Sequence, residues 1–155
     1  MPEVTDPEPR WLSTDQQLVW RSWLAATARI DQVLDAHLRP HGLDLAEYEI
    51  LVCLSESPNR ALRMSELAHK VHQSRSRLTH TVARMEGVGL VCRRRSESDG
   101  RGVVAHLTDE GMNLLVETAP RHVASVRKIF VDAVDSADYE ALGRAMNAVL
   151  AVEDS

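Results

Sequence analysis

The sequence predicts a mainly α-helical protein that carries one small β-hairpin. Apolar residues recur every three or four positions in six stretches, which is the spacing of a buried helix face. Only residues 90–107 contain two short runs of strand composition, and a polar, glycine-bearing segment separates them. With 155 residues and a mass of 17.3 kDa, the chain is predicted to form one domain. That domain covers residues 11–155, and the proline-rich, acidic residues 1–10 are predicted to be a flexible tail.

The first two helices are predicted to begin at capping boxes, in which a capping side chain is followed three residues later by Gln or Glu. The capping pairs are Ser13 with Gln16 and Asp44 with Glu47. The first helix is long and covers about residues 13–39, where Pro40 and Gly42 end it. The second ends at a turn over residues 57–59, and residues 60–64 are predicted to be extended and to add a third short strand.

The next two helices are short and are separated by a tight turn. Ser65 is the predicted N-cap of the first, Ser74 is the predicted N-cap of the second, and Gly89 is the predicted left-handed residue after the second. The buried positions are Leu67, Ala68 and Val71 in the first helix and Leu78, Val82 and Met85 in the second.

The second of these helices has an exposed face without a carboxylate. At about 100° per residue, this face carries Arg77, His80, Thr81 and Arg84. A hairpin follows, with strands predicted over residues 90–93 and 103–107 and a polar loop over residues 94–102. A helix–turn–helix followed by a basic hairpin is a winged helix, here predicted over about residues 44–108. Its second helix suits the major groove of DNA, and its loop can reach phosphates or the minor groove.

Two helices complete the chain. One begins at Thr108 or Asp109, continues to about Val134 and contains Pro120, which is expected to kink it or to remove one hydrogen bond. Ser136 is the predicted N-cap of the last helix.

The terminal helices, over about residues 13–39 and 108–152, are longer than a compact winged helix of about 60 residues needs for folding. Their apolar surface is therefore predicted to form a homodimer interface. Two-fold symmetry would place two DNA-reading heads on a pseudo-palindromic site.

The charge distribution is more informative than the net charge of −5. Residues 60–101 contain ten basic and four acidic residues, a net charge of +6, so the rest of the chain carries −11. A basic module on an acidic body is the electrostatic pattern expected of a DNA-binding protein.

The central residues resemble the MarR family of bacterial transcriptional regulators. The matching segments are SELAHKVHQSRSRLTHTVARMEGVGLV, the hairpin residues Asp99 and Arg101, and LTDEG at residues 107–111. The resemblance extends from the helix at Leu18 to the last helix near Val149. It implies that Asp99 braces the hairpin and that Arg101 enters the minor groove. Two departures are Gly100, where the family usually has a basic residue, and His80, where it often has an arginine.

The predicted DNA contacts lie on the second short helix and on the hairpin. The residues at the start of the helix are predicted to bind phosphates, because hydroxyls, backbone N–H groups and positive charge meet there. These residues are Ser74, Arg75 and Ser76. The residues predicted to contact base edges or flanking phosphates are Arg77, Thr79, His80 and Arg84. The hairpin contributes Arg94, Arg95, Asp99 and Arg101. The alternative for the helix arginines is a solvated surface, which does not account for the adjacent basic hairpin.

A small-molecule pocket is predicted between the first helix and the DNA-reading module. Its candidate residues are Trp20, Trp23, His37 and His41. The family resemblance implies release from DNA by a phenolic or aromatic carboxylate ligand at this junction. The alternative is that the tryptophans fill the core and the dimer interface, which is the commoner role of large aromatic residues.

Metal binding, redox sensing and catalysis are disfavoured. His37 with His41 and His69 with His72 have helical spacing, but no cysteine or carboxylate cluster completes a metal site, and no cofactor is predicted. Cys53 and Cys92 are predicted to be core thiols. No nucleophile elbow, phosphate-binding loop or dinucleotide fingerprint is present.

The sequence thus predicts a homodimeric, DNA-binding transcriptional regulator, a repressor released by a small ligand. No signal peptide or membrane-spanning run is present, so the chain is expected to be cytoplasmic. The alternative is a helical small-molecule-binding or protein-interaction module without DNA-binding function.

Overall fold

The computed structural model describes residues 8–153, which contain six α-helices and one three-stranded sheet. The helices are α1 (Thr14–Leu38), α2 (Leu45–Ser55), α3 (Met64–Lys70), α4 (Arg75–Gly87), α5 (Asp109–Val126) and α6 (Tyr139–Leu150). The strands are β1 (Ala61–Arg63), β2 (Val91–Arg95) and β3 (Val103–Leu107). The predicted fold class is confirmed. Of the predicted tail, residues 1–7 lie outside the described residues, and residues 8–10 have no regular secondary structure.

Both predicted capping boxes are confirmed. The Gln16 N–H donates to Ser13 Oγ over 3.2 Å, and the Ser13 N–H donates to Gln16 Oε1 over 2.9 Å. The corresponding distances for Asp44 and Glu47 at the start of α2 are 2.7 and 2.9 Å. These bonds satisfy N–H groups that a helix leaves without a partner, so the side chains at these positions determine where α1 and α2 begin.

The sheet is antiparallel and has the strand order β1-β3-β2. Residues 94 and 95 belong to β2, opposite Val104 and Val103, so the prediction that Arg94 and Arg95 lie in the loop was wrong. The hydrogen-bonded ladder continues to Val103 on the partner strand, and the loop therefore begins only at Ser96.

The core lies where α2, α3, α4 and the sheet meet. Its members, all buried, include Ile50, Leu51, Leu54, Leu67, Leu78, Val82, Met85, Val91 and Ala105. The start of α5 packs closely against this unit, because a Cβ atom at Gly111 would overlap the Leu90 carbonyl oxygen. The side chains of α6, by contrast, include none that is buried.

Two predicted caps were wrong. Helix α3 begins at Met64, one residue before Ser65, because the chain leaves β1 at Arg63 and enters the helix directly, without a side-chain cap. Before α6, the capping residue is Asp135, whose carboxylate accepts the Ala137 N–H over 2.9 Å and begins a single 3-10 turn, Ser136–Asp138.

Helix α5 also ends earlier than predicted, at Val126, and five π-helical residues, Arg127–Val131, follow it. Pro120 lies inside α5 and does not end it. Between residues 8 and 153, no helix is both long and apolar enough to cross a lipid bilayer.

Candidate nucleic-acid interface

A tight turn sets α4 at a fixed angle to α3. Helix α3 ends at Lys70, Val71 is its C-cap, and His72 adopts a left-handed conformation with φ of 53°. The Gln73 N–H then donates to the Ala68 carbonyl over 3.0 Å, and Ser74 Oγ accepts the Arg77 N–H over 3.3 Å at the start of α4. The predicted Ser74 cap is confirmed, and together α3 and α4 form a helix–turn–helix.

The inward face of α4 is the predicted one, with Leu78, Val82 and Met85 buried. Thr81, which was predicted to be exposed, is also buried. It follows Leu78 by one turn and precedes Val82, and its hydroxyl donates to the Arg77 carbonyl over 3.0 Å, so that it needs no contact with solvent.

The outward face of α4 carries an uninterrupted polar surface. Its exposed side chains are Arg75, Ser76, Arg77, Thr79 and His80, and Ser74 lies just before them. Within residues 8–153, Arg75 and Arg77 form no ion pair. Two guanidinium groups are therefore available at the N-terminal half of α4, where backbone N–H groups also favour anions.

Arg84 differs from the other predicted contacts because carboxylates already hold it. Its Nη2 lies 3.3 Å from Asp44 Oδ2 and 3.1 Å from Glu47 Oε1. Both acids belong to the capping box of α2, so this arginine connects α4 to the start of α2. The Arg84 side chain is still 49% exposed, and its contact with base edges or flanking phosphates stays a prediction.

The hairpin loop is folded around one carboxylate. Asp99 Oδ1 accepts the N–H groups of Arg101 and Gly102 over 3.1 and 3.4 Å, and Oδ2 accepts Arg63 Nη2 over 2.8 Å. The bond from Arg63, followed by the backbone bond from Arg101, holds the pKa of the Asp99 carboxyl below its usual value. This is the bracing geometry that the family resemblance implies for Asp99, and it leaves the Arg101 side chain exposed.

Arg63 is the residue that the sequence analysis missed. Its Nη2 also lies 3.5 Å from Ser96 Oγ and 3.2 Å from Ser98 Oγ, and its guanidinium packs on Gly102, where a Cβ atom would be 2.8 Å from Nη1. The available signal was a basic residue in the extended segment before α3. Because Arg63 pairs with Val104, it lies at the end of β3 that adjoins the hairpin loop.

The remaining hairpin arginines have different surroundings. Arg93 pairs with Glu86 of α4, with Nη2 3.0 Å from Oε1, and its own N–H donates to Oε2 over 2.7 Å. The hydrogen bond from this N–H, followed by that from the Arg93 side chain, lowers the pKa of Glu86. Arg94 and Arg95 are exposed and, as neighbours on a strand, point to opposite faces of the sheet.

A groove of about 530 Å³ lies between α4 and the hairpin. It brings predicted DNA contacts from both elements to one surface, because Arg75 and Thr79 line one wall and Arg101 lines the other. Arg63, which pairs with Asp99, and Arg93, which pairs with Glu86, also line the groove. Among residues 8–153, its lining therefore contains four arginines and no carboxylate.

The structure does not bring the four predicted pocket residues together. Trp20 and Trp23 line an apolar groove of about 540 Å³ with Val149 of α6, whereas neither His37 nor His41 lines this groove. The reason is the length of α1, since a separation of 17 residues corresponds to about 25 Å along a helix.

A cavity does exist at the predicted junction, but other residues line it. It has a volume of about 780 Å³ and lies between α1, α2 and α5. Its lining includes Ile30, Asp31, Leu34, Leu45, Tyr48, Glu49, Val52, Cys53, Glu56, Lys70, Val71 and His122. Burial raises the pKa of the Cys53 thiol, which favours the unreactive thiol over the thiolate. In the described part of the chain, no three His, Cys, Asp or Glu side chains are grouped as metal ligands would be.

Comparisons with known proteins agree with this geometry. The model of the MarR family matches residues 43–103. The chain is similar to Sco3205 of Streptomyces coelicolor, a MarR family regulator whose structure was solved in complex with DNA. The two are 44% identical, the match covers 94% of this chain and 91% of that chain, and the TM-score is 0.89.

Two further similarities support the same family. AbsC, another MarR family regulator of Streptomyces coelicolor, is 42% identical over 92% of this chain and 96% of that chain, with a TM-score of 0.87. The HTH-type transcriptional regulator MhqR of Bacillus subtilis is 27% identical over 63% of this chain, and that match spans 66% of the length of MhqR.

Proposed function

Since the chain belongs to the MarR family of transcriptional regulators, which are not enzymes, we propose that it regulates transcription by binding a pseudo-palindromic DNA operator as a homodimer. The observation that carries this proposal is the groove between α4 and the hairpin. Among the described residues its lining contains no carboxylate and four arginines, which are Arg75 of α4, Arg93 and Arg101 of the hairpin, and Arg63 of β1. A neighbouring helix and hairpin that both present positive charge match the major groove and the adjacent minor groove of one duplex.

The side chains proposed to contact DNA have three roles, of which α4 supplies two and the hairpin the third. Ser74, Arg75 and Ser76 lie at the N-terminus of α4, where hydroxyls, N–H groups and a guanidinium would hold a phosphate. Next along the exposed face, Arg77, Thr79 and His80 would meet base edges or flanking phosphates.

The hairpin would extend contact beyond the major groove. Arg101 projects from a loop that Asp99 holds in shape, which suits insertion into the minor groove. Arg94 and Arg95 are exposed at the end of β2, where they would meet the backbone of the duplex.

The homodimer is proposed because α1 and α6 leave large apolar side chains in solvent. Trp20 and Trp23 of α1 and Val149 of α6 line one apolar groove, and Leu150 is also exposed. A second copy would bury this surface, and its two-fold axis would present two α4 helices to half-sites about one helical turn apart.

We further propose that the protein represses transcription until a small ligand binds the junction cavity between α1 and α2. Helix α2 forms one wall of this cavity, and its first turn holds Arg84 of α4 through Asp44 and Glu47. A ligand that changes the distance between α1 and α2 would therefore move α4 and alter the spacing of the two winged helices in the dimer.

The first test is fluorescence anisotropy with DNA from upstream of the protein's own gene, at two salt concentrations, with a scrambled duplex as control. We expect preferential binding with a steep salt dependence. Arg101→Ala and Arg77→Ala should each weaken binding by about tenfold and reduce the salt slope by about one phosphate contact. Arg127→Ala, which removes an exposed arginine after α5, is the matched control and should change neither.

Several results would contradict the proposal. Equal, weak binding to both duplexes, repeated after a selection for bound sequences from random DNA, would favour a helical binding module without DNA function. Unchanged affinity and salt slope for Arg101→Ala would contradict the role of the hairpin loop, whatever the wild-type affinity.

A further inference from the structure

The junction cavity contains more negative charge than positive charge. Among the residues that the structure describes, three carboxylates, those of Asp31, Glu49 and Glu56, line it, together with one lysine, Lys70, and no arginine. Within residues 8–153, none of these four side chains forms an ion pair. The carboxylates are therefore available to a ligand rather than committed to the protein.

Glu49 carries the clearest sign of this imbalance. Burial, followed by repulsion from Asp31, raises the pKa of the Glu49 carboxyl, although His72 acts in the opposite direction. A positive charge placed between Glu49 and Asp31 would relieve that repulsion, whereas a negative charge would increase it.

An aromatic pair forms another part of the wall. The rings of Tyr48 and His122 lie with their centroids 4.0 Å apart and their planes inclined by 31°. Among the described residues, His122 Nδ1 has no hydrogen-bond partner, and burial lowers the pKa of the ring, which favours its neutral form. Because this nitrogen is closed to solvent, the pair contributes an uncharged aromatic wall rather than a hydrogen bond to a ligand.

Apolar side chains complete the cavity. They are Ile30, Leu34, Leu45, Val52 and Val71. A volume of about 780 Å³ lies within the range of small-molecule sites, and apolar walls with a few polar groups are their usual composition.

We propose that the junction cavity binds a flat aromatic ligand that carries a positive charge, such as an arylamidine or an arylammonium. The apolar and aromatic walls would cover the ring system, and Glu49 with Asp31 would pair with the cationic group. This inference rests on the proposed regulation by a small ligand and names the class of that ligand. It differs from the aromatic carboxylates that the family resemblance implies, because an acid here would face three carboxylates.

The test compares two probes of the same shape and opposite charge, 2-naphthamidine and 2-naphthoate, by isothermal titration calorimetry on the full chain. We expect 2-naphthamidine to bind at least about tenfold more tightly, which corresponds to about one charge-assisted contact. Glu49→Gln should weaken 2-naphthamidine binding by about threefold or more and reduce the preference between the probes. Glu110→Gln, which removes an exposed carboxylate at the start of α5, is the matched control and should behave like the wild type.

Each other outcome overturns the inference. Equal binding of the two probes, tighter binding of 2-naphthoate, no binding of either, or a preference that Glu49→Gln leaves unchanged would exclude a cationic aromatic ligand for this cavity. DNA binding measured on the same samples separates the two proposals. If the protein binds its operator but does not discriminate between the two probes, only the proposed ligand class is refuted. If it binds the cationic probe selectively but does not bind DNA, only the proposed DNA-binding function is refuted.

Discussion

His122 shows how one side chain can connect the cavity to the stability of the protein. Its ring packs against Tyr48 with a centroid distance of 4.0 Å, and its Nδ1 is buried without a partner. A buried nitrogen without a hydrogen bond reduces stability, and protonation of a buried ring costs still more. The His122 ring is therefore expected to reduce the stability of the folded protein at this position.

We expect His122→Phe to preserve the packing on Tyr48 and to remove this cost. At pH 7.5 the free energy of unfolding should rise by at most about 1 kcal/mol. Because burial lowers the pKa of His122 from its ordinary value of 6.5, the unfolded chain binds a proton there before the folded protein does. The wild type should consequently lose stability as the pH falls below about 6.5, and the variant should lose less.

Urea unfolding at pH 7.5 and 5.5 measures this difference, with His106→Phe as a control at a half-buried histidine of β3. An identical pH dependence for wild type and His122→Phe would contradict the assignment of the effect to this ring.

Single residues also show where sequence reasoning reaches its limit. The capping roles of Ser13, Asp44 and Ser74 were predictable because each bond spans only three residues. The pairing of Arg84 with Asp44 spans 40 residues, and it depends on how α2 packs on α4 rather than on any local pattern. For the same reason, the sequence indicated an exposed face for α4 but not that its last arginine is already paired.

At the scale of elements, the hairpin is held from outside by β1. Arg63 lies 36 residues from Asp99 in the sequence, yet its Nη2 reaches that carboxylate over 2.8 Å and also meets two loop serines. The loop therefore has a fixed shape in the absence of DNA. This reduces the conformational entropy that the loop would lose on binding.

We predict that Arg63→Ala loosens the loop and weakens DNA binding by about three- to tenfold. Without Arg63, Asp99 would keep only its bonds to the Arg101 and Gly102 N–H groups, so these amides should exchange faster in the free protein. Hydrogen exchange distinguishes this positioning role from a direct DNA contact, because it is measured without DNA.

The matched control is Arg60→Ala, which removes a neighbouring arginine that pairs with Asp109 over 3.5 Å. It should leave the exchange of the loop amides unchanged. If Arg63→Ala weakens DNA binding but leaves the loop amides as protected as in the wild type, then Arg63 acts on DNA directly and does not position the loop.

The predicted elements were most accurate where a local signal defines an end. Gly89 has φ of 82° after α4, as predicted, because a left-handed residue there favours glycine. The error at Ser65 arose because α3 already begins after Arg63, and the error at Ser136 arose because Asp135 caps a 3-10 turn that precedes α6. The predicted pocket failed for a related reason. Trp20 and His37 were assigned to one pocket, but a separation of 17 residues places them about 25 Å apart along α1.

At the scale of the whole molecule, charge and apolar surface are separated. The segment of residues 60–101 carries a net charge of +6, and the rest of the chain carries −11. Exposed large apolar side chains on α1 and α6, which lie outside that segment, include Trp20, Trp23, Val149 and Leu150. An acidic body repels phosphates, so DNA is expected to bind at the basic segment, and the exposed apolar surface is where we propose that a second copy binds.

The proposed homodimer interface can be tested by placing a charge on the exposed apolar surface of α6. Val149 is 67% exposed in the single chain and lines the groove with Trp20 and Trp23, so Val149→Glu should be tolerated by the folded chain but not by a dimer interface. We expect light scattering to give twice the 17.3 kDa chain mass for the wild type and a value near the chain mass for the variant. DNA affinity should fall by about a hundredfold, because two heads then no longer bind as one unit.

Val88→Glu is the matched control, since Val88 is 72% exposed but lies at the end of α4, far along the chain from α1 and α6. It should retain the mass of the wild type. A wild-type mass equal to that of one chain, or a Val149→Glu variant that remains twice that mass, would mean that α1 and α6 serve another purpose. A monomeric wild type would also mean that the operator does not need two-fold symmetry, because a single winged helix reads one half-site.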